Sequence, residues 1–78
     1  MEKFIRIPNS QMDYHYTMDY LKEGNNFAQA EGNPKVIYCY RAGKFRQILD
    51  GENNAIIYDL NDWSLALELA IFVQVKLI

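Results

Sequence analysis

The chain has almost nothing to cross-link it. Of its 78 residues, one is a cysteine, Cys39, and one a histidine, His15. A lone thiol closes no internal disulfide, and one thiol with one imidazole supplies half of a four-ligand structural zinc site. Stability must therefore come from packing, and sparse cysteine usage fits a reducing, cytoplasmic setting. Long apolar runs are also missing. The longest, residues 65–78, is shorter than the roughly 20 residues a membrane helix needs and is interrupted by Glu68, Gln74 and Lys76. No membrane association is expected. Residues 1–8 carry Glu2, Lys3 and Arg6 where a secretory signal has a continuous apolar core, and Pro8 stops the run, so no export signal is expected either.

Enzyme motifs are lacking as well. There is no Gly-rich phosphate loop, no Gly-x-Ser-x-Gly elbow, no His-Glu-x-x-His and no paired-cysteine spacing. No catalytic residue, metal or cofactor is expected. Asp13, His15 and Asp19 recur at even spacing in a manner that could hold a metal, but a solvated strand face accounts for them more simply. Cys39 reads as a core residue and His15 as a surface one. Residues 50–54, Asp-Gly-Glu-Asn-Asn, lack the ligand order of a calcium loop and read as a turn.

Apolar material is abundant. Hydrophobic residues make up 50% of the chain, aromatic 14% and charged 23%, too apolar a mixture to stay disordered. The length suits one domain spanning residues 1–78. No repeat or Ser/Gly linker divides it. The dominant periodicity is two. Phe4, Ile5 and Ile7 suggest a first strand ended by Pro8. Met12, Tyr14, Tyr16, Met18 and Tyr20 alternate with polar residues, which predicts a half-buried strand over residues 11–21. Glu23 to Asn26 is a turn cluster, followed by a modest strand at residues 27–30.

Residues 36–40 and 45–49 are dense in β-branched and aromatic side chains and predict a hairpin. A two-residue turn at Ala42-Gly43 would force Ala42 to positive φ, so a three-residue loop is expected. That loop pairs Tyr40 with Lys44, Tyr38 with Arg46 and Val36 with Ile48. Ile37, Cys39, Phe45 and Leu49 then form an apolar face. A short strand is expected at residues 55–58. The segment beyond is ambiguous. Leu65, Leu67, Leu69, Ile71, Val73, Val75 and Leu77 alternate, yet residues 64–70 have helix-forming composition. Asp59, with Asp62 three residues on, resembles a helix N-cap with an acidic first turn. A helix over about residues 60–72 is the first choice, with Trp63, Leu67, Ala70 and Ile71 near one stripe that would cover the apolar face.

The expected fold is α+β: an antiparallel β-sheet of four to six strands with one C-terminal helix packed on one face. An all-β small barrel is the alternative, should residues 64–77 form a strand.

Charge is unevenly distributed along the chain. It runs +1 over residues 1–12, −3 over 13–31, +4 over 32–49 and −4 over 50–78, for a net −2. Cations concentrate on the hairpin beside tyrosines, and tyrosine and arginine are favoured interface anchors. The expected function is a small non-catalytic protein-interaction module, of the kind a phage or mobile element encodes to inhibit a host protein or nucleoprotein in an anti-CRISPR or anti-restriction role. Tyr38, Tyr40, Arg41, Lys44 and Arg46 are its expected partner-binding residues. The partner would be a protein, with a homodimer also allowed. The alternative is a nucleic-acid-binding module using residues 36–48, where cations meet phosphates and rings stack on bases. Four cations on an acidic chain weigh against it. A third class, an enzyme subunit completed by oligomerisation, would require His15 to meet carboxylates in a shared pocket.

Overall fold

A computed structural model describes residues 4–49, 57–68 and 71–77. Its elements are β1 (Phe4–Met12), α1 (Tyr14–Lys22), β2 (Phe27–Ala30), β3 (Asn33–Arg41), β4 (Lys44–Leu49), β5 (Ile57–Leu60), α2 (Asp62–Glu68) and β6 (Phe72–Leu77). The strands form one open antiparallel sheet in the order β1-β6-β2-β3-β4-β5, with both helices on one face. The expected antiparallel sheet is present. It is open rather than a barrel, and in place of the single C-terminal helix there are two short helices, α1 between the first two strands and α2 directly before the last strand, β6. The turn expected at residues 50–54, the start of the strand expected at 55–58, and Leu69 and Ala70 of the expected helix lie outside the described residues.

The largest departure from the sequence reading is residues 14–22, which are helical rather than extended. Two local features explain it. Asp13 adopts φ −80° and ψ 177°, and its carboxylate Oδ1 accepts the Tyr16 amide at 2.8 Å, which is N-cap geometry. Thr17 donates both its amide and its hydroxyl to the Asp13 carbonyl, at 3.0 and 2.6 Å. In addition Tyr14, Thr17, Met18 and Leu21 form a stripe at helical spacing, and the last three are buried. The same segment thus satisfies both periods, and the cap and the burial stripe select the helix. The helix stops at Gly24, whose φ of 105° suits a residue without Cβ, and Asn26 Nδ2 donates to the Tyr20 carbonyl at 2.8 Å.

The N-terminal strand continues past Pro8 through an irregularity. Arg6 pairs with Val75 and Gln11 with Val73, so the intervening β1 residues form a bulge, with Asn9 at φ 57°. Ser10 stitches it shut. Its hydroxyl donates to the Ile7 carbonyl at 2.6 Å and accepts the Gln74 amide at 3.0 Å. Pro8 lacks an amide but sits on an edge strand, where that loss is tolerated.

The β3–β4 hairpin turns over two residues. Arg41 pairs with Lys44, and Ala42 and Gly43 take φ 54° and 77°, both positive as a type I′ turn requires. The three-residue loop expected from sequence is therefore corrected. A left-handed alanine costs about 1–2 kcal/mol, but the tight turn matches strand twist and sets a register in which Phe45 enters the core. Tyr40 faces Phe45, Tyr38 faces Gln47 and Cys39 faces Arg46. Relative to the expected pairing, β4 has slipped by one residue, which moves each of its side chains to the other face.

The core has two parts. On the helix side, Met12, Met18, Leu21, Ala28, Val36, Tyr38, Phe45, Leu65 and Phe72 pack together, with Tyr14, Tyr20, Tyr40 and Leu60 at the margin. On the far face, Phe4, Ile37, Cys39, Ile48 and Val75 form a second buried cluster, flanked by Phe27. The apolar face expected from Ile37, Cys39, Phe45 and Leu49 is thereby corrected, since Phe45 belongs to the helix side. The expected covering stripe is corrected too. Leu65 is the fully buried residue of α2, while Trp63 and Leu67 point away and Ile71 precedes β6 outside the helix.

Candidate functional site

The five residues expected to form a binding patch are divided between the two faces of the sheet. Tyr38 is only 2% exposed and lies in the helix-side core, so it cannot serve as a surface anchor. Tyr40 is half-buried on the same side, its ring edge-on to Phe45 with centroids 4.8 Å apart. Arg41, Lys44 and Arg46 belong by register to the far face. The expected contacts of Lys44 and Arg46 with the tyrosine rings are replaced by others. Arg41 lies over the Phe27 ring at 5.5 Å, and Lys22 of α1 lies over Phe45 at 5.6 Å.

Asp59, projecting from β5 opposite Arg46, collects the hairpin cations. Its carboxylate is 3.2 Å from Arg46 Nη1 and 3.4 Å from Lys44 Nζ. Arg46 Nε also donates to the Arg41 carbonyl at 3.3 Å. Exposed pairs of this sort contribute about 0.2–1 kcal/mol each, so their effect here is mainly to hold the guanidinium and neutralise part of the basic patch. Asp59 was expected to cap the second helix, and that assignment is corrected. Asn61 does so, its Oδ1 accepting the Ser64 amide at 2.8 Å and the Ser64 hydroxyl at 3.0 Å.

Sequence reasoning missed the surface that α2 presents. Three contacts set the helix in place. Leu65 is fully buried, the Tyr14 hydroxyl donates to the Asp62 carbonyl at 2.8 Å, and Lys22 Nζ stands 4.0 Å from the Asp62 carboxylate. Residues two before and two after Leu65 lie about 200° round a helix on either side of it, and therefore close to one another. Those residues are Trp63 and Leu67, 74% and 81% exposed. One signal for this was available: Leu65 is two residues from each, so only one of the two sets could face inward.

Next to the N-terminus of α2 is a cleft of about 280 Å³, lined by Lys22, Tyr40, Gly43, Lys44, Phe45, Leu60, Asn61 and Asp62. It brings together two of the expected residues, Tyr40 and Lys44, with α1 and the start of α2. A second cleft of about 350 Å³ lies at the β1 bulge, lined by Asn9, Ser10, Gln11, Met12, Asp13, Tyr16 and Gln74. Its carboxylate, Asp13, is occupied in capping α1.

Burial raises the Tyr14 phenol above its ordinary value near 10.0, and the Asp62 carboxylate raises it further. Tyr20 shifts the same way, through burial first, then the charge of Glu23 and the neighbouring Tyr16. Cys39 is buried, and His15 and Asp19 are exposed on α1. Among the described residues, no three of His, Cys, Asp and Glu come together as a metal site, and no helix is long and apolar enough to cross a membrane. No protein-family model, curated protein or solved structure matches the chain.

Proposed function

We propose that the protein is a small non-catalytic binding module that docks on a protein partner through the outward face of α2 and the adjoining hairpin-tip cleft. The observation that carries this reading is the exposure of Trp63 and Leu67 on the same side of one helix. Single exposed apolar residues are ordinary, but tryptophan is the side chain most enriched at the energetic centres of interfaces. The cleft beside it offers Tyr40, half-buried, and two lysine ammonium groups. An inhibitor carried by a phage or mobile element, blocking a host enzyme or nucleoprotein in the anti-CRISPR or anti-restriction manner, is a role that small size and the lack of enzyme motifs support.

The test is a photo-cross-linking residue placed in turn at Trp63, Leu67 and His15 in cells that produce the protein. The expected result is one shared protein adduct from positions 63 and 67 and none from position 15. Adducts from all three alike, or from position 15 only, would remove the assignment.

A second reading, nucleic-acid binding, is favoured by one observation. Arg6, Arg41, Lys44 and Arg46 fall by register on the same sheet face. It is the weaker reading, because Asp59 ties two of these cations and neither hairpin tyrosine is on that face to stack on bases. Fluorescence anisotropy with single- and double-stranded oligonucleotides at moderate salt, before and after Arg41→Glu, tests it. Undetectable binding ends it.

A further inference from the structure

The irregularity in β1 also shapes a surface. With Asn9 at φ 57° and the Ser10 hydroxyl tied to the Ile7 carbonyl and the Gln74 amide, the bulge forms one wall of the cleft of about 350 Å³ that reaches the first turn of α1. Two of its polar groups are committed to the fold: Ser10 is buried in the bulge, and Asp13 Oδ1 caps α1. The others are uncommitted. Among the described residues the carboxamides of Asn9 and Gln11 and the Tyr16 phenol make no hydrogen bond, and the Gln74 side chain makes only a 3.7 Å contact from Nε2 to Met12 Sδ, which leaves its Oε1 without a donor. We propose that this cleft is a carbohydrate-binding site, in which a neutral pyranose rests one face on the Tyr16 ring and hydrogen-bonds through its hydroxyls to Asn9, Gln11 and Gln74.

The lining selects that chemistry by what it offers and by what it withholds. It contains no lysine, arginine or histidine, and the Asp13 carboxylate repels a second anion, so phosphates, nucleotides and acidic sugars meet no counter-charge there. Met12 is its one apolar side chain besides the tyrosine ring and is buried, so a purely apolar ligand gains little. An added peptide strand is disfavoured as well, because Pro8 has no amide and the bulge at Asn9 breaks the regular row of edge groups that strand pairing needs. A carboxamide both donates and accepts, as a sugar hydroxyl does, and Asn9, Gln11 and Gln74 supply that group beside one aromatic ring. Tyr16 is 59% exposed, so its ring presents an apolar plate to the C–H face of a pyranose, with a phenol at its edge. The cleft shares no lining residue with the one at the hairpin tip, and the proposal stands independently of docking through α2.

The probes are cellobiose, lactose, mannobiose and di-N-acetylchitobiose, each titrated to about 50 mM against isotope-labelled protein, with glycerol and adenosine as controls. Proton-nitrogen correlation spectra read the site directly, because the side-chain amides of Asn9, Gln11 and Gln74 give signals of their own. At least one disaccharide is expected to shift those signals and the Tyr16 amide in a saturable manner, with a dissociation constant on the order of 1 mM, the scale for a small ligand in an open cleft. Its affinity should fall roughly fivefold to tenfold in Tyr16→Ala, through the lost ring contact, and roughly threefold in Gln11→Ala. Trp63→Ala should leave it unchanged. Circular dichroism confirms that the variants remain folded. The absence of a saturable shift with every disaccharide, or an equal response to glycerol, overturns the proposal. A response to adenosine alone replaces the sugar with a base, and shifts undiminished in both Tyr16→Ala and Gln11→Ala place the ligand elsewhere; either result overturns it too. None of these outcomes bears on the cross-linking test at α2.

Discussion

The ring of Tyr38 meets the ring of Phe72 edge to face, with centroids 5.8 Å apart and planes at 79°. The two residues lie on β3 and β6, strands that do not touch, because β2 runs between them. They meet over Ala28, which pairs with Tyr38, and Ala30, which pairs with Phe72; both alanines are fully buried. Small side chains on the central strand leave the space that two rings from its neighbours fill, beneath Met18 and Leu21 of α1. This aromatic contact, rather than a surface patch, is what the hairpin tyrosine serves.

Tyr38→Ala is accordingly expected to lower unfolding free energy by about 3–5 kcal/mol, the range for deleting a large buried ring. Ala28→Leu should lower it by about 1–3 kcal/mol through overpacking of the same space. Urea denaturation followed by far-ultraviolet circular dichroism measures both. A Tyr38→Ala protein as stable as the parent would contradict the buried placement.

The Ala42 backbone offers the opposite sign. At φ 54° its Cβ is strained, and Ala42→Gly relieves that strain while adding freedom to the unfolded chain. A net gain of about 0.5–1 kcal/mol is expected, and Ala42→Val should be destabilising. If glycine instead weakens the fold, the turn does not hold the two-residue geometry.

Ser10 connects β1 to β6 through its hydroxyl alone. Ser10→Ala leaves the Gln74 amide without its acceptor, at a cost of about 1–3 kcal/mol. Amide hydrogen exchange at Gln74, faster in the variant than in the parent, would locate the effect at the bulge.

High pH should destabilise the packing of α1 on α2. Folded Tyr14 and Tyr20 have phenol pKa values raised above 10.0, so at alkaline pH the folded state binds more protons than the unfolded one. The sign follows from linkage: this contribution is fully present below pH 10, and is lost as pH rises through the higher folded values. Spectrophotometric titration of tyrosinate should show phenols ionising late in the native protein, and Tyr14→Phe should remove part of that late component.

Trp63 should behave as a surface residue in the isolated protein. Its emission is expected to be readily quenched by iodide, and Trp63→Ala should change stability by no more than about 0.5 kcal/mol. A strongly shielded tryptophan would mean that α2 is rotated from the arrangement described above.

Several elements were legible in the sequence because their signals were local and unambiguous. The strand at residues 27–30, the two hairpin strands and the antiparallel sheet followed from β-branched and aromatic runs bounded by turn formers. Residues 14–22 were misread because Tyr14, Tyr16, Met18 and Tyr20 alternate at the same time as Tyr14, Thr17, Met18 and Leu21 trace a helical stripe. The capping role of Asp13 was the local clue that distinguished them. The C-terminal segment contained both of the competing answers, helix at Asp62–Glu68 and strand at Phe72–Leu77, one after the other.

Composition and short-range pattern were sufficient to determine a single packed domain built on an antiparallel sheet, because apolar content and strand propensity are summed locally along the chain. Only the tertiary structure decided which side chains reach solvent. The hairpin register differs by one residue from the expected one because the two-residue turn at Ala42-Gly43 sets it, which carries Phe45 to the helix side of the sheet, and α2 turned Leu65 inward because Tyr14 and Lys22 hold its first residue. With side chains alternating every residue in a strand and every two in a short helix, those choices between neighbours transferred the exposed apolar surface from the hairpin to Trp63 and Leu67.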